Sequence, residues 1–171
     1  MQSKVFAVLL GLLPLSLFGQ TEKTVLMQEV NQQIWLPFLE GVNTGRDSLY
    51  VHVHSRDFYW VVGGSRPRIM NFKEYEDDSR LVMENRRKQG IGTTLAVRFL
   101  DRTLNGEFAA EKCVFAYTSR PKNGPPQTSY SIAHIFSRKE NGTWKMLVQS
   151  VVTEPANEET FRTAAAMDKL Q

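Results

Sequence analysis

Apolar residues first recur at a helical spacing and later at a strand spacing. Leu26, Val30, Ile34, Phe38 and Val42 fall every four residues, and Trp35 and Leu39 widen the stripe. That spacing predicts an amphipathic helix with one buried face. Pro37 lies inside it and predicts a kink or a break into two shorter helices. Gly41, Asn43 and Gly45 mark the end, and Asp47 is a suitable cap for a short second helix running through His54. Phe58 to Val62 is rich in aromatic and branched residues and reads as a strand. Gly63-Gly64 turns it into a short return strand, Arg68 to Met70. Asn71 and Glu74 have capping-box spacing for a helix whose one side carries Phe72, Tyr75, Ser79, Val82 and Met83, and Gly90 stops it.

The second half changes period. Leu95, Val97 and Phe99 alternate with Ala96, Arg98 and Leu100. Asn105-Gly106 signals a hairpin, and Glu107 to Thr118 runs back as a strand. After the Pro/Gly-rich loop Arg120 to Gln127, the residues Tyr130, Ile132, His134 and Phe136 share one strand face. Asn141-Gly142 turns into Thr143 to Val152, where Trp144, Met146 and Val148 alternate. Asn141-Gly142-Thr143 also matches a glycosylation acceptor, but we read it as turn chemistry. Pro155 ends this strand, and Asn157 to Leu170 suits a short terminal helix. The order is helix, short helix, hairpin, helix, then a four-strand antiparallel meander. It predicts an α+β fold, with helices packed on one face of a curved sheet. Such a sheet closed by helices encloses a conical space, a natural small-molecule pocket.

The first twenty residues change the picture from a domain to a leader plus a domain. Lys4 is their only charge, Val5 to Leu13 is a short apolar run, and Leu17 and Gly19 precede Gln20 at a spacing compatible with cleavage. An uncleaved anchor is the competing reading, but a spanning helix wants about 20 apolar residues, and Pro14 breaks this run. The expected division is a signal peptide over 1–20, a domain over 21–155 and a tail or short helix over 156–171. The destination is then secreted or periplasmic, with no membrane association after cleavage. The net charge of +3 is spread along the chain rather than blocked, which argues against a nucleic-acid partner. Cys113 is the single cysteine, so an internal disulfide and a cysteine metal site are excluded. No nucleotide motif suggests a cofactor.

Several stretches in order carry a resemblance. They are Trp35-Leu36-Pro37-Phe38-Leu39-Glu40, Gly45-Arg46-Asp47 leading to His54-Ser55-Arg56-Asp57, Val97-Arg98-Phe99, Asn105-Gly106, and Arg138-Lys139-Glu140-Asn141-Gly142-Thr143-Trp144-Lys145-Met146. From about Val25 to Val152 the chain resembles the nuclear transport factor 2-like superfamily, and within it the SnoaL-like group of small secreted bacterial proteins. The resemblance implies a cystatin-like α+β cone, frequently a homodimer formed through the open sheet face. It leaves activity open, because the superfamily includes isomerases, dehydratases, cyclases and binding or scaffold domains.

Isomerase-type members need a carboxylate base in the first hairpin strand, facing a tyrosine and a protonated aspartate. Phe58 to Val62 contains no carboxylate. Asp57 just before it reads as a strand-entry residue, and beside Lys112 and Cys113 no aspartate is placed as a buried donor. The isomerase carboxylates are therefore not found. His134, on a face with Ile132 and Phe136, is the remaining acid–base candidate, with Tyr117, Gln149 or Tyr130 as partner depending on register; of these, Tyr117 is the one taken forward. The plain alternative is a core histidine satisfied by one hydrogen bond. His52 and His54 would diverge on a helix, so no metal site is expected. Cys113 lacks the histidine a nucleophile needs. Arg98 belongs on the face opposite Val97 and Phe99, exposed or at a dimer contact. Phe38, Tyr59, Trp60, Tyr117 and His134 form the expected ligand-binding set, although Phe38 lies on the helix stripe and also reads as core. Tyr59 and Trp60 point to opposite faces, so one of them looks into the cone. The expectation is a module binding a small apolar or amphipathic molecule without a cofactor. The alternatives are an isomerase- or dehydratase-type enzyme using a pocket histidine, and a structural dimerisation domain whose cone is filled by side chains.

Overall fold

The computed structural model describes residues 16–151 and 154–168. The apolar run Val5 to Leu13 of the expected leader lies outside the described residues. No helix among the described residues is long and apolar enough to cross a membrane. The elements are α1 (Ser16–Val30), a π-helical turn (Asn31–Trp35), α2 (Leu36–Thr44), α3 (Asp47–His52), β1 (His54–Val62), β2 (Arg68–Asn71), α4 (Phe72–Gln89), β3 (Gly92–Leu104), β4 (Phe108–Arg120), β5 (Gln127–Glu140), β6 (Thr143–Val151) and α5 (Glu158–Thr163). The strands form one sheet in the order β2-β1-β6-β5-β4-β3. β1 runs parallel to β6, and every other pair is antiparallel.

The first helical stretch answers Pro37 with a widened turn rather than a break. The N–H of Leu36 reaches back five residues to the carbonyl of Asn31. Proline has no N–H to donate, and its ring crowds the preceding turn, so a π-turn just before Pro37 keeps the chain helical on both sides. Ile34, Trp35 and Phe38 stay buried through it. Gly41 lets α2 and α3 meet closely: a Cβ there would lie 2.6 Å from the Tyr50 backbone nitrogen. The Asn71–Glu74 capping box forms at the start of α4, and Gly90 ends that helix in the left-handed region. The Asn141-Gly142 turn also forms as read, both residues having positive φ.

Some boundaries differ from the sequence reading. The terminal helix, expected over Asn157 to Leu170, is the six-residue α5, Glu158–Thr163. The second helix ends at His52 rather than His54, and β1 starts at His54, four positions before Phe58. Pairing decides this: the Met146 N–H donates to the Val53 carbonyl, and His54 is in register with Met146. Neighbouring β6 thereby draws 54–57 into the sheet, against the local helical pattern. The meander itself stands, with bulges in β3 between Phe99 and Asp101 and in β5–β6 near Phe136.

Helices cover the inner face of the sheet. Trp35 and Phe38 meet Phe99 and Phe115 there, with ring centroids 5.3–6.4 Å apart. The outer face is partly covered by the C-terminal segment. α5 places Phe161 and Ala164 over Val114, Ile132 and Leu100. Arg98 lies on that face as expected and donates to the carbonyls of Arg162 and Ala164. Phe99 and Ala165 exchange both backbone hydrogen bonds, at 2.8 and 2.9 Å. That bridge occupies part of the free edge of β3, a surface otherwise open to another strand.

Candidate functional site

One row of register partners crosses the inner face: Met70, Trp60, Gln149, Ile135, Glu111 and Arg102. Alternation along each strand sends all six side chains toward the helices. At the β3 end the row is charged and closed. Arg102 Nε donates to Glu111 Oε1 at 2.7 Å, and Nη2 approaches the same oxygen at 2.6 Å. Trp35 Nε1 donates to Glu111 Oε2 at 3.0 Å. Arg102 Nη2 also donates to Asn31 Oδ1, whose own amide donates to the Met167 carbonyl. The guanidinium lies 4.0 Å from the centroid of the Phe99 ring. Burial pushes the Glu111 carboxyl above the usual carboxylate range, and Arg102 and Trp35 oppose that shift. Both residues are buried, and only Arg102 Nη1 of the pair is left without a partner.

At the other end the row is polar and unanswered. Trp60 Nε1, a donor, and Gln149 Oε1, an acceptor, are buried without a protein partner. The two residues are register neighbours on adjacent strands. The Trp60 ring is half-buried and lies 5.9 Å from the ring of Tyr75 on α4. Trp60 and Val151 form partly open apolar margins of the core at this end. Nearby, His54 is enclosed by Phe58 and Tyr75 at 4.3 and 4.9 Å between ring centroids. Its Nδ1 lies 3.3 Å from the Val51 carbonyl, and its Nε2 has no partner. Burial pushes its pKa down to about 4, so the ring is neutral at pH 7.

The expected site residues do not converge. Trp60 looks into the cone, and Tyr59 points out and is exposed. Phe38 is buried in the aromatic cluster as wall rather than as pocket lining. Tyr117 is on the inner face, paired with Leu95 and Ser129, with Arg86 stacked 5.2 Å from its ring centroid. His134 is on the outer face, in register with Lys112. Its Nε2 lies 3.2 Å from Glu154 Oε1, while Lys112 Nζ donates to Glu154 Oε2 at 2.6 Å. His134 and Tyr117 therefore point to opposite sides of the sheet and form no acid–base pair. The face of β5 carrying Ile132 and Phe136 was read as inward. Instead Ile132 is buried beneath α5, and Phe136 is 47% exposed. The inner face of β5 carries Ala133, Ile135 and Ser137.

Asp57 lies within β1 and pairs with Arg138 at the surface. Cys113 is fully buried, and burial pushes its thiol up, away from the thiolate form. Among the described residues no group of three acidic, histidine or cysteine side chains could hold a metal. Glu111 and Arg102 were missed as inner-face polar groups, Gln149 was named only as a partner for His134, and His54 was placed at the end of a helix.

No family model matches the chain, and no curated protein matches it. Solved structures do match. A putative scytalone dehydratase from Novosphingobium aromaticivorans shares 13% identity, covering 88% of this chain and 99% of its own, at a TM-score of 0.65. A nuclear transport factor 2-like protein with a cystatin-like fold from the same organism gives 12% identity, 88% and 96% coverage and a TM-score of 0.63. A ketosteroid isomerase-like protein from Erwinia carotovora atroseptica gives 13% identity, 75% and 97% coverage and a TM-score of 0.55. The chain thus has the cystatin-like fold of nuclear transport factor 2-like proteins.

Proposed function

We propose that this domain is a binding module for a small molecule with an apolar body and a hydroxyl group, held at the Trp60–Gln149 end of the cone. The observation that carries this reading is the unanswered pair, Trp60 Nε1 and Gln149 Oε1. A buried polar group without a partner costs about 1–3 kcal/mol. A single hydroxyl can accept from the indole N–H and donate to the amide oxygen. The partly open side chains of Trp60 and of Val151, two positions along β6 from Gln149, offer an apolar surface for the rest of the molecule. At the Glu111 end, aromatic side chains and the Arg102–Glu111 pair fill the space, so a structural role suits that half. We assign no reaction.

Export as a secreted or periplasmic protein and self-association through the sheet remain parts of this proposal. The first rests on the pattern of Lys4 and Val5 to Leu13. The second is supported by Tyr59 and Phe136, exposed outer-face side chains flanking Val148 in the sheet.

The test uses 1-naphthol, a neutral ring carrying one hydroxyl, followed by calorimetry. Binding should weaken about fivefold or more in Trp60→Phe, which keeps a ring but loses the donor, and in Gln149→Leu. Native mass spectrometry of the protein purified from its host should show a retained small molecule. Absence of both naphthol binding and a retained molecule overturns the reading.

A further inference from the structure

A second concavity lies outside the cone. It opens between α3, the start of β1, the first turns of α4 and the β5–β6 turn, and its volume is about 670 Å³. That size suits a small-molecule ligand. Val51, His54 and Phe72 contribute its least exposed lining, and Arg56, Arg80 and Lys145 bring positive charge to it.

Its charges are unequally answered. Each carboxylate at the cavity has a cation of its own: Asp47 has Arg87 at 3.2 Å, Glu76 has Arg80 at 2.8 Å, and Glu140 has Arg138 at 2.7 Å. Arg56 and Lys145 form no ion pair among the described residues. Arg56 lies over the Phe72 ring, 4.6 Å from its centroid. Lys145 Nζ donates to the His52 carbonyl at 2.6 Å, which leaves two of its three donors unused. Burial holds the Lys145 ammonium below its ordinary range; Glu140 opposes the shift, and the nearby charge of Arg56 adds to it. Two cations are thus held within electrostatic reach of each other, and His54, whose Nε2 is buried without a partner, belongs to the same lining. An oxyanion among them would relieve the repulsion and take charge-assisted hydrogen bonds from all three.

We propose that this cavity binds a small molecule through a phosphate, sulfate or carboxylate group, with Arg56 and Lys145 as its charge partners and His54 Nε2 as a hydrogen-bond donor to the same group. The site is separate from the Trp60–Gln149 end of the cone, so either proposal can fail without the other. His54 Nδ1 faces the Val51 carbonyl and holds the ring proton there, which leaves Nε2 bare in the neutral ring. Anion binding therefore brings a proton onto Nε2. The groups facing the ring are Tyr75 from α4, Phe38 from α2, Phe58 from β1, the Tyr50 and Val51 carbonyls from α3, and Lys145 from β6. Burial raises the Tyr75 hydroxyl, so it stays neutral. Asp47, Glu76, Arg80 and Glu140 complete the charges at the cavity.

The test titrates the full chain with sodium sulfate by calorimetry at pH 5.5 and 7.5, with ionic strength held constant by sodium chloride. Sulfate stays a dianion across this range, so any pH dependence belongs to the protein. Saturable one-to-one binding is expected. It should be about tenfold weaker in Arg56→Gln and in Lys145→Met. It should tighten at pH 5.5, and that gain should vanish in His54→Gln. Parallel titrations with phosphate and succinate separate a tetrahedral anion from a carboxylate, and a preference for either supports the site. The proposal is overturned if sulfate gives no more heat than chloride, or if the exposed Arg56→Gln variant binds sulfate as the parent does.

Discussion

Arginine meets the interior of this protein in two ways. Arg102 is buried against Glu111, and Trp35 and Asn31 complete the pair. Arg56, on the wall of the side cavity, has an aromatic ring beneath it and no carboxylate. In the first arrangement the desolvated charges answer each other, and Arg102 Nη1 alone has no partner. The second, with Lys145 beside it, is incomplete and open to solvent. Buried ionic groups are tolerated when paired, and an unpaired cluster survives where water or a ligand can reach it. Within one domain, the contrast separates charge that holds the fold from charge available for recognition.

The largest effect should come from splitting the buried pair. Arg102→Met or Glu111→Leu alone leaves an uncompensated buried charge, at about 3–5 kcal/mol. The double variant should lose less than either single one, since it strands no charge. It should not be neutral, because Trp35 Nε1 loses its acceptor and Asn31 Oδ1 its donor. Urea unfolding of the four proteins gives the coupling. Single variants that lose less than about 1 kcal/mol would show the pair to be solvated and the contrast false.

Next in size is the histidine between the two regions. His54 has a native pKa of about 4 against an ordinary 6.5. Below pH 6.5 the unfolded chain takes up a proton that the native protein refuses until about pH 4. Stability is therefore full above pH 6.5 and is lost as the pH falls through that window. Between pH 7 and 5 the loss should be about 2 kcal/mol. Glu29, Glu140 and Glu154, whose carboxyls are held low by their partners, lose their contributions only at lower pH. His54→Phe should flatten the curve over pH 5–7. Sulfate should restore part of the loss at pH 5 if the side cavity binds it. An unchanged slope in His54→Phe would assign the dependence elsewhere.

The helices, the capping box and the meander were legible because period and turn chemistry are local. The polar interior was hidden by two non-local features. A bulge after Phe99 shifts the phase of β3, so Arg102 turns inward, where strict alternation from Val97 and Phe99 places it outward. Cover from α5 makes the outer face apolar at Val114 and Ile132, so His134 looked like a core residue. Glu111 was more accessible to reasoning. It alternates with Ala109, Cys113 and Phe115, and a carboxylate in such a register predicts a buried cation opposite. His54 was lost when the helix was extended two residues too far.

The smallest effect belongs to the outer face, and it tests the sidedness of the whole description. His134, Lys112 and Glu154 form an ion cluster whose side chains are each about one-third exposed or more. Water competes for every member, and such exposed pairs contribute about 0–1 kcal/mol. Lys112 and His134 sit on adjacent strands, and Glu154 beyond β6 bridges them, so the cluster tethers the chain at the start of the C-terminal segment. His134→Ala should therefore change urea stability by less than about 1 kcal/mol. It should leave both naphthol binding at Trp60 and sulfate binding at Arg56 unchanged, because its side chain lies across the sheet from the first and outside the lining of the second. Loss of naphthol binding in His134→Ala would mean that the ligand reaches the outer face, and the inner-face assignment built on the Trp60–Gln149 pair would fall with it.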